Sequence, residues 1–221
     1  RVLFRSEPIM EDLLQYRFKD GRLKDQSFGN LFLAAMAGIS DNFEEAVQKM
    51  SSVLAVTGKV IPVTLDNMQL IAKFQNGNVV EGESQIPEEA IKQNSRIEEL
   101  RINPEDAKPL KEALEAIREA DAIVMGPGSL YTSITPNLLV KDIAKEVRKS
   151  DAIKIYISNI MTQPGETTDF KVSDHLKVLI KYGGKNIVDY AIVNTGEIAE
   201  ELKEKYKQEN SKLVKVDEEE I

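Results

Sequence analysis

The stretch GPGSLYTSIT, residues 126–135, combines two glycines with a run of hydroxyl side chains directly after an apolar segment. Gly126 and Gly128 open backbone conformations that are closed to other residues, so N–H groups of the loop can turn towards a ligand. Thr135 is a good helix N-cap and Pro136 suits the first helical position, which brings the positive helix end to the same loop. This pattern predicts an anion site, with a tight strand exit as an equally good structural alternative. The side chains expected to donate to phosphate oxygens are Ser129, Tyr131, Thr132 and Ser133.

A second polar loop, SNIMTQPGETTDFKVSDHL at residues 158–176, follows the apolar segment AIKIYI. A loop of this length in a compact domain is usually functional or disordered. His175, the only histidine, stands beside Asp174 near a helix start, where a structural role is favoured over a catalytic one, and no residue is assigned a catalytic role. Glu166 and Asp174 are candidates for acid/base work, but the sequence does not define their separation. The side chains that suit the reading of a sugar or a base include Asn159, Thr162, Gln163 and Glu166.

A third candidate lies near the N-terminus, in SFGNLFLAA at residues 27–35. Gly29 allows the close approach of another group, and Asn30 stands near a predicted helix start. There it either caps the helix or contacts a ligand. A cap followed by small residues for packing explains the same pattern equally well.

The composition limits the functions that these loops can serve. The chain has 221 residues with a net charge of −8, which disfavours a nucleic-acid or anionic-membrane surface but leaves a small anionic ligand open. It has no cysteine, which excludes a disulfide scaffold, a thiolate zinc site and a cysteine nucleophile. No apolar run reaches the ~18 residues of a membrane span. No nucleic-acid or membrane partner is therefore expected, and no cofactor is assigned.

The hydrophobic pattern predicts helices first, then a β section, then strands and helices in alternation. Such alternation is typical of a parallel sheet covered on both faces, and the all-apolar AIVM favours burial on both sides. We therefore predict one α/β domain over residues 1–221, with a Rossmann-like three-layer fold, a mainly parallel sheet and an inserted β-hairpin. The predicted helices cover 8–18, 28–39, 40–56, 104–120, 136–150, 174–184 and 198–210. The predicted strands cover 59–64, a hairpin over 70–86 turning at Asn76-Gly77, 96–102, 121–125, 152–158, 187–194 and 212–217.

Five motifs, in this order, carry a resemblance to a known family: FGNLFLAAM, GESQIP, ADAIVMGPGSLYTSITPNLLV, YISNIMTQPGET and SDHL. From about Leu13 onward the chain resembles the YvcK family of bacterial proteins, the gluconeogenesis factors or UDP-N-acetylglucosamine-binding proteins. That family is related to the CofD group, the phospholactate transferases of deazaflavin cofactor synthesis. The resemblance implies a Rossmann-like fold, a cytoplasmic location and nucleotide-sugar binding. It also implies a role in cell shape and cell-wall precursor supply during gluconeogenic growth, without an established reaction.

The resemblance also implies which residues face the ligand. They are Gly29 and Asn30, Gly126 through Ser133, Asn137, and Asn159, Thr162, Gln163 and Glu166. Family members begin with a strand and a glycine-rich turn, followed by an Asp-Asp-Gly-Gly-type loop, and continue into a segment with an Arg-His pair. None of these is present here, and RVLFRS at residues 1–6 does not resemble the family, so the chain is interpreted as a fragment with a non-native start. An incomplete sheet would favour a homo-oligomer.

The sequence therefore leaves two alternative functions open, and a third possibility is that the chain binds no ligand. The first is a regulatory protein that binds UDP-N-acetylglucosamine or a related nucleotide. The second is a transferase like those of the CofD group, moving a phospholactyl-type group from a nucleotide donor to a hydroxyl acceptor, with Asp174 or Glu166 as the fallback base. The third is a folded remnant that binds nothing. Hydroxyl and amide donors dominate both loops, which favours the first.

Overall fold

The computed structural model describes residues 8–24, 26–54 and 58–220, so the segment 1–6 lies outside the described residues. The chain divides into two compact units, Arg1–Leu65 and Asp66–Ile221. The prediction of a single domain over 1–221 stays a prediction. Within the described ranges, every helix is too short or too polar to cross a lipid bilayer.

The first unit is helical. Ser27 caps the second helix by accepting a hydrogen bond from the Asn30 amide at 3.2 Å, as side-chain caps commonly do. Small residues for packing were one explanation of the pattern of this helix, but Met36 is its only buried residue and Ala34 and Ala35 are exposed. The strand predicted at 59–64 is also wrong, because this described segment forms no strand. The helices are α1 (Pro8–Gln15), α2 (Phe28–Gly38) and α3 (Phe43–Val53), with a 3-10 turn at Gly21–Leu23.

The second unit begins with an antiparallel sheet in the order β2-β1-β3. The predicted hairpin turn is confirmed, since Gly77 takes a positive φ of 88° between the two paired strands. The hairpin was predicted to run on to residue 86, but the chain leaves β2 at Glu81 and forms helix α4, which buries Ile86 and Ala90. The elements are β1 (Gln69–Phe74), β2 (Val79–Glu81), α4 (Gln85–Gln93) and β3 (Ile97–Asn103).

A parallel sheet in the order β4-β5-β6 follows, with helices between its strands. The predicted Rossmann-like α/β fold is confirmed by this alternation. At the centre of the sheet Tyr156 is fully buried, and its ring lies 6.3 Å from that of His175. The elements are α5 (Lys111–Glu119), β4 (Ala122–Met125), a π-helical turn (Leu130–Ile134), α6 (Thr135–Leu139), α7 (Ile143–Lys149), β5 (Ile153–Ile157), α8 (Val172–Gly183), β6 (Tyr190–Ile192), α9 (Glu200–Gln208) and a 3-10 turn (Glu218–Glu220).

Three further predictions about this second unit are wrong. Strand β4 is not buried on both sides, because Val124 is 53% exposed. Val124 pairs with Ile155, whose side chain lies on the face of the sheet opposite to Tyr156. Strand β5 is the only described neighbour of β4. The helix predicted over 136–150 is interrupted at Asp142, whose φ is +63°. The last predicted strand, 212–217, forms only two isolated bridges, through Leu213 and Lys215.

Candidate functional site

Two loops leave the carboxyl ends of neighbouring parallel strands, which is where ligands gather in open α/β sheets. Loop 1, residues 126–134, follows β4, and loop 2, residues 158–171, follows β5. The turn into loop 1 requires glycine, because Gly126 has a φ of +89° and a Cβ there would lie 2.7 Å from the carbonyl oxygen of Ile157. The close approach of the two backbones therefore sets the starting direction of loop 1 against β5.

Asn159 joins the two loops where they leave the sheet. Its Oδ1 accepts a hydrogen bond from the Gly128 amide at 3.1 Å, and its Nδ2 donates to the Gly128 carbonyl at 2.8 Å. Both backbone groups of Gly128 are thus satisfied by one side chain, in the manner of a paired strand. The predicted ligand-facing side chain of Asn159 is consequently engaged within the protein.

Glu166 makes a second and stronger connection between the loops. Its Oε2 accepts hydrogen bonds from the amides of Tyr131 at 3.0 Å and Thr132 at 3.2 Å. Its Oε1 accepts from the Thr132 hydroxyl at 2.9 Å and from Gln163 Nε2 at 2.9 Å. The residue is only 4% exposed. Burial raises the pKa of Glu166 above its ordinary value, and the hydrogen bonds from Thr132 and Tyr131 offset part of that rise.

These contacts place the helix end differently from the prediction. The helical segment begins at Leu130, because the π-helical turn runs directly into α6. Thr135 is therefore not an N-cap; it is fully buried within the segment and its hydroxyl has no hydrogen-bond partner among the described residues. Glu166 caps the segment from a distant part of the chain, since it satisfies two amides of the first turn.

Loop 2 is itself held from two sides. Gly165 has a φ of +83°, and a Cβ on it would overlap the backbone of Pro87 in α4. Thr162 and Lys212 exchange hydrogen bonds: the Thr162 amide donates to the Lys212 carbonyl at 2.7 Å, and the Lys212 amide donates to the Thr162 hydroxyl at 2.9 Å. The Gln163 amide donates to the Thr167 hydroxyl at 2.9 Å. Thr162 and Gln163 thus support the loop from inside.

The polar groups of loop 1 that remain available are few. Within the described part of the chain, the hydroxyls of Ser129 and Ser133 make no hydrogen bond; Ser129 is half-buried and Ser133 is exposed. Asn137 is exposed and donates through Nδ2 to the Ser133 carbonyl at 2.6 Å. Tyr131 is buried with its ring 6.3 Å from that of Phe170, and burial raises the pKa of its hydroxyl. Among the described residues, the hydroxyls of Ser129 and Ser133 are therefore unengaged donors beside the capped helix end.

A cleft of about 250 Å³ is lined in part by Thr132. Among its lining residues are Gly82 and Glu83, which sequence reasoning did not select as site residues although they stand in the GESQIP motif. The negative charge of Glu83 adds to the rise in the pKa of Glu166. The volume of this cleft is smaller than the ~300–1,000 Å³ of sites that bury a whole small molecule. The full lining is Met68, Gln69, Leu70, Gly82, Glu83, Ile102, Thr132 and Pro136.

Gly29 and Asn30 belong to the first unit. A Cβ on Gly29 would lie 2.9 Å from the carbonyl oxygen of Leu14, so this glycine lets α1 and α2 pack closely. Asn30 does not cap the helix, because Ser27 does, and it is exposed. Both residues nevertheless line a largely apolar cavity of about 290 Å³ within the unit, together with Leu14, Gln15, Ser27, Leu33 and Met50.

His175 and Asp174 are tied to the start of α8. His175 is fully buried, and its Nδ1 lies 2.8 Å from the Lys171 carbonyl oxygen, to which it donates. Burial lowers the pKa of His175, which keeps the ring neutral. The Asp174 carboxylate accepts from the Lys171 amide at 3.0 Å. The two side chains are thus engaged in holding the helix start.

The fold is that of an α/β protein with a Rossmann-like parallel sheet, and two hydrogen-bonded loops lie at the carboxyl edge of its strands. The family model described as 2-phospho-L-lactate transferase CofD matches residues 2–221, which includes most of the segment 1–6 that was expected to be foreign. A gluconeogenesis factor of Bacillus subtilis is 48% identical over 216 residues, covering 97% of this chain and 67% of that protein. The chain belongs to the CofD family, in the branch of the gluconeogenesis factors, or YvcK proteins.

Two further relatives describe how far the similarity extends. A putative gluconeogenesis factor of Clostridium acetobutylicum is 64% identical over 220 residues, which is all of this chain and 49% of that protein. A crystal structure of a UPF0052 family member from Bacillus halodurans superposes with a TM-score of 0.88 at 44% identity, covering 99% of this chain and 69% of that one. The chain thus spans about half to two thirds of the length of these relatives.

Proposed function

We propose that this protein binds a nucleotide sugar, UDP-N-acetylglucosamine, and acts as a regulatory protein rather than as an enzyme. The observation that supports this most directly is the joining of loop 1 to loop 2 by Asn159 and Glu166 at the carboxyl edge of the parallel sheet. The joined loops keep the Ser129 and Ser133 hydroxyls beside an amide helix end, a combination suited to a phosphate group. Loop 2 supplies the neighbouring polar surface for a sugar or a base.

The physiological part of the proposal rests on the relatives. Those from Bacillus subtilis and Clostridium acetobutylicum are called gluconeogenesis factor and putative gluconeogenesis factor. A cytoplasmic protein that senses a cell-wall precursor would connect gluconeogenic growth with precursor supply and cell shape. A purely regulatory role needs binding selectivity and no paired acid and base, which agrees with the engaged state of Glu166 and Asp174.

Calorimetric titration with UDP-N-acetylglucosamine, UDP and GDP tests the proposal. We expect the sugar nucleotide to bind in preference to the other two, because both the diphosphate and the sugar would then contact the joined loops. Ser129→Ala is the matched variant, since its hydroxyl has no partner within the described residues. Absence of binding by a chain that circular dichroism shows to be folded would contradict the proposal.

The description of the family model favours a second candidate function, a phospholactate-type transferase. In that reaction an acceptor hydroxyl would attack the donor's phosphorus, release a nucleoside monophosphate and pass its proton to a base. Incubation with a nucleotide-activated phospholactate donor and a hydroxyl acceptor separates the two functions. A transferase releases nucleotide only when the acceptor is added, whereas a binding protein releases none.

A further inference from the structure

The carboxylate of Glu166 occupies the place where an anion bound to loop 1 is expected. The amides of Tyr131 and Thr132 point at its Oε2 from 3.0 and 3.2 Å. These are first-turn amides of a helical segment, and such groups attract negative charge through their unsatisfied N–H donors and the helix dipole. The protein therefore supplies its own anion to two amide donors of the predicted site.

The position of the Glu166 carboxylate at these amides costs the folded protein free energy, because the carboxylate is buried. The carboxylate has four donors, from two amides, the Thr132 hydroxyl and Gln163 Nε2. Even so, burial is the largest influence on this group and holds its pKa above the ordinary value. The ionised side chain is thus less stable here than in water, and an anion that brings further contacts of its own competes with it on favourable terms.

Further donors for such an anion stand next to the carboxylate. A Cβ placed on Gly128 would lie 3.8 Å from Cβ of Ser133, so the Ser133 side chain lies against the glycine turn. Ser129 occupies the N-cap position of the helical segment without making a side-chain cap. Neither serine hydroxyl has a hydrogen bond within the described residues. A phosphate group at this end gains these two hydroxyls, which Glu166 does not use.

We propose that Glu166 is a specificity-determining residue that competes with the anionic group of the ligand for the amides of Tyr131 and Thr132. This inference rests on the proposed function, because it concerns the same site. A simple anion must displace a buried carboxylate and binds weakly. A ligand with a sugar or a base gains contacts with loop 2 at the same time and overcomes the competition. Glu166 thereby makes binding depend on the whole ligand rather than on its phosphates.

The experiment compares Glu166→Gln with Asp169→Asn by calorimetry, using inorganic pyrophosphate and UDP as probes. Both variants remove one negative charge from loop 2 and keep the side-chain size. Asp169 contacts Lys212 at 2.7 Å and has a φ of +61°, which asparagine also tolerates. Glu166→Gln should bind pyrophosphate and UDP about tenfold more tightly than the unmodified protein, because charge-assisted hydrogen bonds of this kind are worth a factor of that order. Asp169→Asn should leave both affinities unchanged.

Each other outcome overturns the inference in a recognisable way. Equal tightening in both variants would show a general effect of charge, and unchanged or weaker binding in Glu166→Gln would make Glu166 a positioning residue only. If Glu166→Gln loses its thermal transition, Glu166→Asp, whose shorter side chain draws the carboxylate back from the amides, takes its place with the same expectation. Tight pyrophosphate binding by the variant, with no binding of UDP-N-acetylglucosamine by either protein, would support the inference and refute the proposed function. Absence of binding by every variant to every probe would refute both.

Discussion

Removal of the Thr132 hydroxyl should destabilise the protein, whereas removal of the Ser129 hydroxyl should weaken binding only. Thr132 donates to the buried carboxylate of Glu166 at 2.9 Å. A hydrogen bond to a charged group contributes roughly 1.5–3 kcal/mol. Thr132→Val keeps the branched shape and loses that bond, so the free energy of unfolding should fall by about this amount. Ser129→Ala loses no hydrogen bond within the described residues and should change it by less than about 0.5 kcal/mol.

In ligand titration the order should be reversed, so that Ser129→Ala weakens binding more than Thr132→Val does. If Ser129 donates to a phosphate oxygen, its loss should weaken nucleotide binding more than about tenfold, by the same range of hydrogen-bond energies. Thr132→Ser retains the hydroxyl and is the matched control for Thr132→Val. Its stability should stay close to that of the unmodified protein, since the methyl group that is lost is small.

Thermal and urea unfolding followed by circular dichroism measure the stability part. For a chain of 221 residues, a loss of ~1.5–3 kcal/mol corresponds to a fall in Tm of about 3–12 °C. The reasoning would be refuted if Thr132→Val unfolded at the same temperature as Thr132→Ser. It would also be refuted if Ser129→Ala lowered Tm as much as Thr132→Val, because Ser129 would then have a structural partner.

Three further predictions concern the turn, the loop junction and the buried ring. Gly126→Ala should lower the free energy of unfolding, measured by urea unfolding, by roughly 1–3 kcal/mol or more from backbone strain alone. The control is Gly128→Ala, because Gly128 has no positive φ and a Cβ there would meet only ordinary contacts. Equal effects of the two substitutions would contradict the close approach of Gly126 to Ile157. Asn159→Asp should lower the free energy of unfolding by about 1–3 kcal/mol, because the Gly128 carbonyl loses its donor. An unchanged midpoint of urea unfolding would argue against this hydrogen bond. His175 has a lowered pKa in the folded state, so its contribution to stability is present above its unfolded pKa of about 6.5 and is lost as pH falls. The difference in Tm between the unmodified protein and His175→Phe should therefore shrink on acidification. A difference in Tm that stays constant with pH would refute a buried neutral ring.

The regular elements that the sequence predicted correctly are those with strong periodicity and clear ends. The hairpin at Asn76-Gly77 and the helix near residues 174–184 are present, since turn chemistry and apolar spacing both act locally. The continuous helix at 136–150 was a wrong prediction with an identifiable cause. Leu138 and Ile143 are buried on either side of the break at Asp142, so the apolar pattern continues although the backbone does not.

Helix α4 was missed for a related reason. Its buried residues Ile86 and Ala90 stand four residues apart, as in a helix. The preceding β-branched residues Val79 and Val80 belong to a strand, and the strand prediction was extended from them to residue 86. The exposure of Val124 in β4 was missed because an apolar run does not report whether a neighbouring strand or helix covers it. Coverage of a strand depends on residues elsewhere in the chain.

The sequence by itself determined that two polar loops follow neighbouring parallel strands, because alternating strand and helix patterns and the glycines at the strand ends are local signals. Only the tertiary structure decided which groups of those loops stay available to a ligand. Glu166 lies 35 residues from Tyr131, and Asn159 lies 31 residues from Gly128. Hydrogen bonds over such separations depend on the packing of β4 beside β5, and no spacing of residue types along the chain encodes which donor will find which acceptor.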